Sequence, residues 1–155
     1  MRQLLVHSDL GAAWPRTDPD LRLCLSQAWV WANRTKPGVR DVDQEALAAA
    51  LAEPAPDHPL WHRFAETQLS ELREVLPFDP ESWGVSERSR PVVPDYEFVF
   101  FAPGGIPPEG TSIAAIVLLH RSGGVWLVAN IGDTAPPQPS WPPRPPEWKP
   151  VIELD

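Results

Sequence analysis

The chain has 155 residues, 43% of them hydrophobic and 22% charged, with a formal net charge of -8. That length suits one domain with one core, burying roughly 70% of the unfolded surface. The acidic balance argues against nucleic acid and anionic lipid as partners, since either calls for a lysine and arginine surface.

The apolar run Leu4 to Val6 behind Arg2 is too short for a secretory core, and no segment reaches the roughly 20 apolar residues of a membrane helix. A single cysteine, Cys24, allows no internal disulfide and suits a small buried hydrophobe. A reducing, cytoplasmic setting is therefore expected. Two lysines, Lys36 and Lys149, stand against eleven arginines in an alanine- and proline-rich chain, the bias of a GC-rich bacterial genome.

In chain order, the first helix is predicted over 18–34, with Asp18 as cap, Pro19 in the first turn and Leu21, Cys24, Leu25, Ala28, Trp29, Trp31 and Ala32 at helical spacing. Lys36, Pro37 and Gly38 stop it. A second helix over 41–53 has Asp41 and Gln44 spaced as a capping box. A third runs from about Pro59 to Leu76, with an apolar band that includes Trp61, Phe64, Leu69 and Leu72. Beyond Pro80 the period becomes strand-like. A weak strand is placed in 83–90, and Pro91 and Pro94 confine the next one to Tyr96–Phe101.

Thr111–His120 and Val125–Ile131 are the clearest strands, joined as a hairpin across Gly123-Gly124. Ile113 to Leu119 is apolar on both faces, so helices should cover one side and a tail, a ligand or a second subunit the other. Much of the excess of 21 prolines lies after Asp133, interleaved with Trp141 and Trp148. Residues 134–155 are read as a proline-rich tail docked on a single body, 1–133, with Trp141 and Trp148 among its anchors. Helices followed by strands indicate an α+β fold, three helices on an antiparallel sheet of about four strands.

The hairpin sequence RSGGVWLVANIGD resembles the last two strands of the nuclear transport factor two-like superfamily, which includes ketosteroid isomerase, scytalone dehydratase and polyketide cyclases. The resemblance covers about residues 18–132. It implies a curved sheet wrapped on a long helix as a cone, often with an apolar small molecule at the open end. The short hairpin expected between the first helices and a counterpart of the proline-rich tail are both missing.

His58, His62 and Glu66 recur every four residues, a spacing that serves zinc when a third ligand arrives and otherwise marks a solvated helix side. No second cluster of ligands accompanies them, so no metal is expected. Asp95, Tyr96 and Glu97 lead into Phe98–Phe101, and alternation turns either the carboxylates or the phenol inward. A carboxylate inside an aromatic pocket would serve as general acid or base. His120, at a strand end, would move a proton at the mouth. No nucleophile elbow, Walker loop or dinucleotide loop is present.

The expected function is therefore binding of an apolar small molecule, with cofactor-free isomerase, dehydratase or cyclase chemistry. Tyr96, Asp95, His120 and His62 would act on protons, and Trp29, Trp61, Phe98 and Phe100 would line the pocket. The alternative is a non-enzymatic interaction, accessory or immunity protein that presents its acidic surface and its proline-rich tail. A homodimer packed sheet on sheet is a third expectation.

Overall fold

A computed structural model describes residues 9–75, 83–85, 89–103, 112–144 and 152–154. Within them the chain forms four helices, α1 (Leu10–Ala13), α2 (Pro19–Ala32), α3 (Gln44–Ala52) and α4 (Trp61–Val75), with a 3₁₀ turn over Trp14–Arg16. The strands are β1 (Trp83–Val85), β2 (Arg90–Val93), β3 (Tyr96–Pro103), β4 (Ser112–Ser122), β5 (Val125–Ile131) and β6 (Ile152–Leu154). Every pairing between them is antiparallel, along the path β1-β3-β4-β5, with β2 also on β3 and β6 on β4. The α+β class stands, with one more helix than expected. No helix among the described residues is long and apolar enough to cross a membrane.

Each helix starts where a side chain can satisfy its free N–H groups. The Asp18 carboxylate accepts from Asp20 N at 2.9 Å, and Pro19 occupies the first turn of α2. The start of α3 differs from expectation. Asp43, two residues beyond Asp41, accepts from Ala46 N at 3.0 Å, and Gln44 instead reaches back to Arg34 O at 3.2 Å. At the entrance of α4, the His58 Nδ1 accepts from Leu60 N at 3.1 Å.

The helical half has an aromatic centre. Trp14 and Phe64 are fully buried, Trp29 nearly so, and their rings meet Trp61 or one another at centroid distances of 5.4–5.8 Å. Both buried indole N–H groups are satisfied, Trp14 by Leu51 O at 3.1 Å and Trp29 by Thr67 Oγ1 at 3.2 Å. Arg22 is buried beside this cluster and locks three segments together, donating to Ala52 O (2.7 Å), Thr17 O (2.6 Å) and Trp14 O (3.4 Å). Burial lowers its pKa, and the charges of Asp18 and Glu53 oppose that fall. Trp31 departs from expectation. It lies at the surface, more than a third exposed, rather than against the sheet.

A second cluster joins helix to sheet through Leu72, Phe101, Ala115, Val117 and Ile131. Strand β2 runs through Pro91, whereas Pro91 and Pro94 were expected to hold the strand after the weak one in 83–90 to Tyr96 onward. It pairs with β3 and has a bulge between Pro91 and Val93, at which a residue without an N–H is tolerated.

Cys24 is buried, and its thiol is pushed up to about 11, first by burial and then by the charges of Asp20 and Asp18. Above pH 9 the unfolded chain releases this proton while the folded chain holds it, so stability falls as pH rises from 9 to about 11. The expected loss is roughly 2–3 kcal/mol. Urea midpoints measured across that window should fall in the wild type and fall less in Cys24→Ala.

Candidate functional site

The site is built by strand register. Val93 of β2 pairs with Tyr96 of β3, Tyr96 with His120 of β4, and His120 with Leu127 of β5. These four residues thus form one cross-strand row, and alternation puts Phe98, Phe100, Leu118 and Ile116 on the same face as Tyr96 and His120. The opposite face carries Val99, Phe101, Ala115 and Val117, the residues that meet Leu72.

Two tight turns frame the row. Gly123 and Gly124 have φ of 58° and 81°, as a two-residue hairpin requires. Between β2 and β3, Pro94 is followed by Asp95 at φ 63°, a left-handed conformation that aspartate tolerates. The turns are tied together, because Arg121 N donates to Asp95 O at 2.7 Å.

The Tyr96 and His120 rings lie parallel, with centroids 4.3 Å apart and planes 4° apart. The Nδ1 of His120 stands 2.6 Å from Asp18 Oδ2. Asp18 reaches this position because Thr17 bridges Val128 and Asp18 N donates to Val128 O at 2.8 Å, hitching the start of α2 to β5. Its carboxylate is 2% exposed, while the His120 side chain is 27% exposed. One carboxylate oxygen therefore caps α2 and the other holds the imidazole. Nε2 has no hydrogen-bond partner among the described residues.

A carboxylate on one ring nitrogen fixes the tautomer and orientation and leaves the lone pair of the other nitrogen to take a proton. That arrangement suits a general base. Burial, followed by the charges of Asp18 and Asp20, raises the Tyr96 pKa, so the phenol keeps its proton and serves as a donor.

Of the residues expected to move protons, Tyr96 and His120 come together. Asp95 contributes a turn and a carbonyl, and its side chain is exposed. His62 does not join the row. Its side chain is 86% exposed and faces Glu66 at 3.1 Å on the surface of α4. The expected lining set divides as well: Phe98 and Phe100 share the His120 face and meet edge-on at 5.5 Å, whereas Trp29 and Trp61 belong to the helical core. Asp18 was read from sequence as a helix cap only. Among the described residues no group of three metal-ligating side chains occurs.

No family model, curated protein or solved structure matches the chain.

Proposed function

We propose that the protein binds a small apolar molecule over Tyr96, Phe98 and Phe100, which share one half-buried face, and moves a proton within it through His120, without a cofactor. The observation that carries this reading is the buried Asp18 carboxylate 2.6 Å from His120 Nδ1, with no partner for the other ring nitrogen among the described residues. Asp18 orients the ring, Tyr96 packs flat on it and offers a phenolic proton, and the phenylalanines exclude water. In this reading the sheet curves as the wall of a cone that opens at the two hairpin tips. The chemistry is that of an isomerase, dehydratase or cyclase, in which a base removes a proton beside a carbonyl.

Such proton removal is visible without knowing the product. Neutral apolar ketones and lactones incubated in deuterium oxide should exchange the proton beside the carbonyl, followed by NMR. His120→Gln should slow this by about 10²- to 10⁴-fold, the usual contribution of a positioned general base. Equal rates for wild type and variant across the panel would reject the proposal.

A second reading, an interaction protein, is favoured by Val92, Val93, Val125 and Trp126. Among the described residues these are the exposed large apolar side chains of the sheet, and they flank the same two hairpin turns.

A further inference from the structure

After β5, Gly132 turns the chain at φ 86°, a conformation glycine adopts freely. The residues that follow form neither helix nor strand through Arg144, yet they are fastened to one line along α2. Asn130 Nδ2 holds the start of the segment by donating to Ala135 O at 3.0 Å. The Gln138 backbone comes up to the Cys24 thiol, and Ser140 N donates to Gln27 Oε1 at 3.1 Å. Trp141 sets its ring edge-on to Trp31, centroids 5.6 Å apart, and also packs on the helical core. The Arg34 guanidinium covers the Trp31 ring at 4.6 Å.

Cys24, Gln27 and Trp31 follow one another at steps of three and four and line one stripe of α2, which Arg34, just past the helix end, extends over the Trp31 ring. What the stripe holds is Pro136-Pro137-Gln138-Pro139-Ser140-Trp141-Pro142-Pro143. In that run only Gln138, Ser140 and Trp141 possess a backbone N–H. The stripe takes the backbone N–H of Ser140, meets the ring of Trp141 edge-on and lies against the backbone of Gln138. Proline-rich ligands are read in this way elsewhere, by aromatic surfaces and a few acceptors, because a stiff chain gives up little entropy on binding.

We infer that this stripe of α2 is a receptor for proline-rich segments with a tryptophan between prolines. The chain's own residues 136–143 occupy it at rest, and a proline-rich segment of a partner protein takes their place when they lift. The inference is independent of the chemistry at His120, since none of the four stripe residues belongs to that row.

A fluorescein-labelled peptide of residues 134–144, added to full-length protein and followed by anisotropy, tests it. A tethered segment acts at an effective concentration of about 1 mM, so the wild type should leave the peptide unbound below about 0.1 mM. Ser140→Pro, which removes the N–H given to Gln27, should bind the peptide several-fold more tightly than the wild type. Trp141→Ala should exceed it. Adding Trp31→Ala to Ser140→Pro should abolish the gain, as should a peptide with alanine at its tryptophan. Circular dichroism checks each fold, and Ser140→Pro, altering a half-buried loop residue, serves if Trp141→Ala does not fold. Equal binding by wild type and Ser140→Pro, binding that survives loss of Trp31, or none to the folded variants at 1 mM peptide would each overturn the inference; that ceiling is about the tethered concentration.

Discussion

Asp18→Ala is expected to lower the unfolding free energy by about 2–5 kcal/mol, the combined cost of losing a helix cap and leaving a part-buried donor without its acceptor. About 1 kcal/mol of this is loss of the helix cap. The rest arises because the 2%-exposed carboxylate serves both Asp20 N and His120 Nδ1, and its removal leaves both donors without an acceptor. Asp18→Asn retains an oxygen for the cap and should cost less than half as much. Chemical denaturation of the two variants beside the wild type measures both effects. In the exchange assay both variants should be impaired, because alanine no longer orients the ring and asparagine can hold it in the wrong tautomer. A fully active Asp18→Asn would separate the stabilising role of Asp18 from any part in proton transfer.

Trp14→Ala should cost about 3–5 kcal/mol, for a reason located in the other half of the molecule. Trp14 is 1% exposed, its ring meets both Trp61 and Phe64, and its indole N–H satisfies Leu51 O at the end of α3. Alanine removes the packing and the hydrogen bond together. Trp14→Phe keeps much of the apolar volume and leaves the Leu51 carbonyl without its donor, so it should cost about 1–3 kcal/mol. Thermal melts should place Trp14→Phe between the wild type and Trp14→Ala. Little change in either would mean that α1 and its 3₁₀ turn contribute nothing to the core.

The parts of this fold legible in the sequence are those written in local periods and turns. The stripe and cap of α2, the strand that begins at Tyr96 and the hairpin across Gly123-Gly124 belong to this group, because each is decided within about ten residues. Helix α1 is too short to show a period, and Pro15 interrupts the region, so Trp14 carried no signal of its depth. Asp41 and Asp43 are equally good caps in isolation, and the packing of Leu47 and Leu51 selects the later start. Trp31 has the spacing of a core residue and faces outward, where its ring partner, Trp141, comes from a segment whose composition resembles a loose tail.

The site shows the same division. Tyr96 and His120 were each recognisable as a proton donor or acceptor at a strand end, but only the register sets one ring on the other. Asp18 lies 102 positions from His120, and no local pattern records such a contact. A capping aspartate normally faces solvent, and nothing near Asp18 indicates that this one is buried. The two sequence-expected residues left outside, His62 and Asp95, had been placed by a helical repeat and by alternation, which report a face without reporting what stands opposite it.

The tautomer of His120 tests the account at its centre. Long-range ¹H–¹⁵N correlation spectra, recorded at a pH where the imidazole is neutral, should show the proton on Nδ1, directed at Asp18, with Nε2 bare, and Asp18→Ala should release that preference. A proton found on Nε2 in the wild type would mean that the carboxylate does not hold the ring, and the proposed base would be lost with it.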